Sequence, residues 1–219
     1  QTMDFKHLFD FLTELQQYKA KSWMDAHRRR YQDLRWQFMR WLEATDQQLS
    51  ALDPDYYHTP ANKAVNRINN NLMFHPDRPV YKDHFGAGLD KAPGTADFYI
   101  QIGPGNSLLA GGLWRPEPKK LRSLREAIDY NGEELQAILS RKSFVRTFGG
   151  LYEDEALQTA PKGFTADHPH INLLRQKTLA VVHPLEPGQV LAPDFQEYIA
   201  QVYHEMLPFR HYLNQALTV

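Results

Sequence analysis

Phe98-Tyr99-Ile100-Gln101-Ile102, then Gly103-Pro104-Gly105-Asn106, then Ser107-Leu108-Leu109-Ala110-Gly111-Gly112-Leu113-Trp114 is the stretch that sets the fold class. Phe98, Ile100 and Ile102 share one face of an extended chain, because side chains alternate across a strand. Two such runs joined by a turn of Gly, Pro and Asn predict an antiparallel hairpin. Gly111 and Gly112 inside the second run mark a bulge, or a place where another backbone or a ligand comes close.

Upstream of the hairpin the chain is polar. Asn69, Asn70 and Asn71 tolerate left-handed backbone and bond their own main chain, so Asn66–Asn71 reads as an irregular hydrogen-bonded segment or a strand end. Asp77 to Pro79 is a turn, since proline fixes its own φ and biases its predecessor away from helix. Tyr81-Lys82-Asp83-His84 follows as extended chain or loop. Further back, Asp4 caps a helix carrying Phe5, Leu8, Phe9, Leu12 and Leu15 on one stripe. Ser22 is the expected cap of a longer helix that runs to Asp53-Pro54, with Trp23, Phe38 and Leu42 facing inward. Its basic run His27-Arg28-Arg29-Arg30 reads as a solvated face, with Asp25 paired to Arg29 one turn on.

Downstream, Leu121, Leu124 and Ile128 give a helix, and Asn131-Gly132-Glu133-Glu134 reads as the cap of a second one. Phe144–Leu151 is apolar and ends in two glycines, which predicts a short strand. Thr178–His183 is the clearest remaining strand. An Asp194 to Glu197 capping box opens a last helix through Phe195, Ile199, Val202, Met206 and Phe209, with a kink or break expected at Pro208. Helices thus bracket the strands. The class is α+β: a single domain over residues 1–219, with an antiparallel or mixed central sheet flanked by N- and C-terminal helices. The alternation and Gly-rich strand–turn–helix loop of a dinucleotide fold are missing.

Composition narrows the function classes. A net charge of -1 gives no overall pull toward nucleic acid or anionic membrane, so neither is an expected partner. The absence of cysteine excludes disulfides, thiolate catalysis and Cys-ligated zinc. No apolar run is long enough to span a bilayer, and Gln1–Phe5 lacks the regions of a signal peptide, so the cytoplasm is the expected location.

Several motifs together have a familiar order. Lys21–Tyr31 carries a Trp23-bearing motif. Arg67-Ile68 with Phe74, Asp77, Tyr81 and Lys82 forms a second, and Gly111-Gly112-Leu113-Trp114-Arg115-Pro116 a third. Pro161–Phe164 with Asp167-His168-Pro169, Leu173-Leu174-Arg175 and Lys177 forms a fourth. They resemble the uncharacterised conserved family called domain of unknown function 2461, from about Phe5 to Leu217. The resemblance implies no established activity or ligand. It does imply a basic-acidic cluster R-x-x-R-D-x-R-F, from which this chain departs at Asn70, Asn71 and Met73 while keeping Arg67 and Phe74.

The residues themselves offer three chemistries. His75, Asp77, His84, Asp167, His168 and His170 could supply metal ligands, but none has helical i, i+4 ligand spacing, and no metal site is assigned. Ser107 sits beside a Gly-rich turn that leads into a strand, unlike a nucleophile elbow. Asp167 and His168 form a candidate acid/base pair. The basic residues Arg67, Lys82, Arg115, Lys162 and Arg175 suit capture of a phosphate or carboxylate, or alternatively ion pairing with Asp77, Asp83 and Asp167.

The expected site therefore places Arg67, Tyr81, Lys82, Trp114 and His168 in one pocket at the mouth of the sheet. Asp167 would orient the histidine, Gly111 and Gly112 would admit the ligand, and Lys162 and Arg175 would add charge. The expected function is a non-catalytic binding domain for a small anionic or polar ligand or a protein partner. The alternative is a hydrolase-like enzyme using Asp167 and His168, with Arg67 or Lys82 stabilising charge. No cofactor is named by the sequence.

Overall fold

The computed structural model describes residues 2–218. In chain order its helices are α1 Phe5–Tyr18, α2 Lys21–Ala26, α3 Arg28–Ser50, α4 Ala61–Ala64, α5 Pro118–Ser140, α6 Lys142–Phe148, α7 Ile171–Leu174, α8 Pro187–Leu191 and α9 Phe195–Ala216. The strands are β1 Phe85–Leu89, β2 Phe98–Ile102, β3 Leu108–Leu113 and β4 Leu179–Pro184, an antiparallel sheet in the order β1-β2-β3-β4. The class is α+β, built on the hairpin and the Thr178–His183 strand, as the sequence pattern requires. No helix among the described residues is long and apolar enough to cross a membrane.

The chain resolves into two compact units, each assembled from three stretches. The first comprises Gln1–Lys91, Tyr99–Leu109 and Pro184–Ala200; the second comprises Ala92–Phe98, Ala110–His183 and Gln201–Val219.

In the first unit, Asp4 Oδ1 accepts the His7 N–H at 2.9 Å and caps α1, whose Phe5, Leu8, Phe9, Phe11, Leu12 and Leu15 are all buried. Phe5 and Trp41 meet edge-on at 5.1 Å, and Phe195 packs on both. Edge-to-face packing of this kind adds to the area the rings bury. Phe38 and Tyr31 of α3 close on Phe85 of β1.

The long second helix of the sequence reading is in fact two, α2 and α3, and its cap is Ala20 rather than Ser22. His27 makes the break. Its ring stacks on Trp23 at 4.0 Å, its Nδ1 bonds Trp23 O, and its backbone leaves the helical region at φ -111 and ψ 15. The stacked Trp23 is only half-buried, and Met24 fills the core place instead. Asp25 bonds Lys21 and Arg28, not Arg29. Strand β1, Phe85–Leu89, is an addition to the strands expected from the sequence, and all five of its residues are buried. A Cβ at Gly86 would stand 2.8 Å from the Tyr99 hydroxyl, so the glycine lets that side chain lie against β1.

In the second unit, Gly112 sits at φ +111, and a Cβ would fall 2.3 Å from Leu179 O of β4. Only glycine permits that approach. Helix α5 carries a non-helical residue at Asn131 (φ -144, ψ 48), the place where the sequence reads a helix start. Phe144–Phe148 belongs to α6 and is not a strand. Phe144 and Phe148, one turn apart, are both buried with rings 4.7 Å apart, and Gly149 at φ +77 ends the helix. Apolar residues four apart serve either period, so the short run is ambiguous until its packing is known. The last helix runs unbroken through Pro208. Buried Met206, Leu207, Phe209 and Leu213 around the proline hold a turn that has lost one hydrogen bond. Of the residues that the patterns turn inward, Leu12, Phe38, Leu42, Ile100, Ile102, Ile199 and Val202 are buried, and Trp23 is the exception.

Candidate functional site

The basic group of the first unit is built on a paired loop. Asn69 and Tyr81 form an antiparallel bridge, Asn70 N–H donates to Val80 O at 2.9 Å, and Lys82 N–H donates to Ile68 O at 2.8 Å. The Asn70 amide adds a bond to Pro79 O at 2.8 Å. The asparagine run thus becomes one arm of a hydrogen-bonded ladder, and every residue from 71 to 80 beyond it is exposed.

Lys82 Nζ donates to Arg67 O at 2.6 Å. Burial holds its ammonium below the ordinary lysine value, and the charges of Arg67 and then Arg78 push the same way. Arg67 and Arg78 therefore each stand within electrostatic reach of Lys82. Among the described residues no carboxylate forms an ion pair with any of them. The adjacent acid is otherwise committed: Asp83 Oδ1 accepts from His84 Nδ1 at 2.7 Å and from Asn106 Nδ2 at 3.0 Å. Burial raises the Asp83 carboxyl, but those two bonds outweigh it and leave the group below its usual range. Tyr81 is buried and so offers no wall, whereas Phe74 on the same loop is 72% exposed.

The second unit holds Gly111, Gly112, Trp114, Lys162, Asp167, His168 and Arg175. Arg115 chelates Asp154 through Nε and a terminal nitrogen at 3.0 and 2.9 Å. Thr178 Oγ1 donates to the same carboxylate at 2.8 Å and accepts the Arg115 N–H at 3.1 Å. These bonds, the Arg115 one foremost, hold the Asp154 carboxyl well below the usual range. The guanidinium also lies over the exposed Trp114 ring, which packs on Tyr152.

The space beside the two glycines is filled by protein. A Cβ at Gly111 would lie 2.2 Å from Met206 Sδ, and the neighbour of Gly112 is the β4 backbone. Lys162 is exposed, while Arg175 is half-buried with its Nε lacking a hydrogen-bond partner. Ser107 is buried in the hairpin, where its hydroxyl donates to Gly103 O and accepts the Gly103 N–H.

The imidazole of His168 is oriented by Asp129, which the sequence reading did not single out, and not by Asp167. His170 N–H donates to His168 Nδ1 at 3.0 Å, which assigns the ring proton to Nε2, and Nε2 donates to Asp129 Oδ1 at 2.7 Å. A ring so bonded keeps no lone pair for a substrate proton. Asp167 instead accepts from the Thr165 hydroxyl, the main reason its carboxyl is low. One turn along α5, Glu133 lies 3.3 Å from His170 Nε2, within ion-pair distance though outside hydrogen-bond geometry. Gly132 lies between those two acids, and its Cβ would strike the His170 ring at 2.4 Å. A glycine inside a helix costs about 1 kcal/mol relative to alanine. That cost is the one sequence signal that a side chain from elsewhere lies against this turn. Among the described residues no group of three or more His, Asp or Glu side chains is placed to hold a metal ion.

A family model described as conserved hypothetical protein (DUF2461) matches residues 7–212. The chain belongs to this family. No curated protein and no solved structure matches it. Within this DUF2461 member, Asn70 stands where the resemblance implies a basic residue and bonds the backbone instead, while Arg78 brings a further positive charge to Lys82.

Proposed function

We propose that the protein is a non-catalytic binding domain whose first unit captures a small anion, or the anionic group of a polar ligand, through Arg67, Arg78 and Lys82. One observation carries the reading: Lys82 has Arg67 and Arg78 acting on it as like charges, and among the described residues none of the three forms an ion pair with a carboxylate. Like charges held together raise the energy of the empty site, and a bound anion relieves it. Guanidinium groups add forked donors suited to phosphate or carboxylate oxygens. Phe74 supplies an exposed aromatic surface on the same loop for a planar ligand. Three cations on a chain of net charge -1 suit a small anion better than a duplex, which needs a broad basic face. A cytoplasmic setting is part of this proposal.

The test is a melting-temperature titration with inorganic phosphate at constant ionic strength against chloride, repeated on Arg67→Ala, Arg78→Ala and Lys82→Met. A ligand bound only by the folded state raises the melting temperature, by about 2.7 kcal/mol of stability at a hundredfold excess over Kd. Phosphate is expected to raise Tm in the wild type and to lose most of that effect in each variant. Binding also weakens as pH climbs through the lowered Lys82 pKa, since the neutral amine no longer attracts an anion. Equal shifts in wild type and variants would overturn the assignment.

A further inference from the structure

The second unit contains a cleft of about 410 Å3 beside the non-helical residue of α5. That volume lies within the range of small-molecule pockets, roughly 300–1,000 Å3. It opens where α5 departs from helical geometry at Asn131, and the departure is fixed from both sides. The Tyr212 hydroxyl of α9 donates to Asn131 O at 3.0 Å, and the Asn131 amide donates to Glu134. Ala127 and Ala216 leave the lining shallow and apolar, and Tyr130 and Tyr212 stand at its sides. Tyr130 is 91% exposed, an unusual place for a ring that no other protein group covers.

Charge in the cleft has one sign. Glu126 and Glu134 line it, no lysine or arginine does, and neither glutamate forms an ion pair among the described residues. Arg122, one turn before Glu126, does not bridge to it, and Arg125 donates to Leu174 O instead. Asp129 and Glu133 face the histidines. Burial, then Glu134 and Glu133, push the Tyr212 phenol up to about 12, so its hydroxyl stays protonated and keeps its bond to Asn131 O. A ligand that complements this cleft must be positive at one end and apolar in its body.

We infer that the cleft binds a small organic ammonium ion, its charged nitrogen toward the Glu126 and Glu134 carboxylates that line it and its hydrocarbon or aromatic body against Tyr130, Tyr212 and the two alanines. Cations are attracted to carboxylates and to the faces of tyrosine rings. This site is separate from the anion group of the first unit and does not depend on it.

The experiment uses three molecules of similar shape and different charge on the full chain: 2-phenylethylamine, neutral 2-phenylethanol and anionic 3-phenylpropionate. Calorimetry gives each Kd for the wild type, for the double variant Glu126→Gln with Glu134→Gln, and for Tyr212→Phe. The amine is expected to bind roughly tenfold more tightly than the alcohol and to outcompete the anion altogether. The double variant should lose roughly that factor and the charge preference with it. Both glutamates are exposed and glutamine keeps a side-chain oxygen to accept the Asn131 amide, so circular dichroism and Tm should stay close to those of the wild type. Tyr212→Phe frees Asn131 O and should weaken all three ligands together, separating cleft shape from cleft charge. Equal affinity for the three molecules, a folded double variant that keeps its amine preference, or no saturable binding up to about 10 mM would each overturn the inference.

Discussion

Arg115 has a carboxylate, a threonine and an indole around it; Lys82 has a backbone carbonyl and two other cations. Both lie in short motifs next to turns, and in sequence they look alike. In the second unit the positive charge is matched: Arg115 and Asp154 form a forked pair, and Thr178, the residue before β4, bonds both of them. In the first unit Asp83, next to Lys82 in the chain, is engaged by His84 and Asn106, and Arg67, Arg78 and Lys82 form no ion pair among the described residues. A matched charge holds a fold in register. A cation with no ion-pair partner keeps its charge for an anion, even where, as at Lys82, it also bonds a backbone carbonyl.

The largest effect that sharpens this contrast comes from Gly112→Ala. The added Cβ meets Leu179 O in a backbone conformation that L-residues avoid, and it pushes β3 off the strand that seats Arg115. Urea unfolding should show a loss of about 3 kcal/mol or more. A loss below about 1 kcal/mol would mean that the strands relax and that the close approach is not what fixes the Arg115 region.

Next is Thr178→Val, which keeps shape and removes the hydroxyl. Thr178 is fully buried, so the Arg115 N–H loses its acceptor and Asp154 a donor. The expected loss is about 1–3 kcal/mol by the same measurement.

The pH dependence of Asp154→Asn probes the same matched pair. The native pKa of Asp154 is lowered, so its stabilisation is fully present above the unfolded carboxyl value, about 3.9, and is lost as pH falls through the native one. The Tm gap between wild type and variant should be constant from neutral pH down to about 5 and should narrow below about 4. A gap that widens in acid would break the assignment.

The smallest effect is expected for Arg78→Ala on the exposed loop. Stability should change by no more than about 0.5 kcal/mol, with any shift toward greater stability as repulsion on Lys82 is relieved. A marked loss would show that Arg78 has a structural partner, and the two regions would then be alike.

The α+β class, the hairpin, the Thr178–His183 strand, the Asp4 cap and nearly all the buried stripe were legible because each follows from a local period or a capping group. The glycine pair was legible as a close approach, though not which atoms would approach. The misread elements share a cause. The α2–α3 break depends on His27 stacking back on Trp23, and α6 depends on which neighbours bury Phe144 and Phe148. In each case the local sequence tolerates two answers.

What the sequence by itself determined, then, is where the strands and helices lie and which residues carry charge or a ring. Tertiary structure alone decided how those groups are matched: Asp129 rather than Asp167 on His168, Asp154 on Arg115, Asp83 on His84 and Asn106, and Tyr81 buried while Phe74 is exposed. The physical reason is range. Backbone preference and hydrophobic period act over a few residues, whereas the His168–Asp129 and Arg115–Asp154 pairings each join residues 39 positions apart, and no local pattern encodes which partner a folded chain will bring.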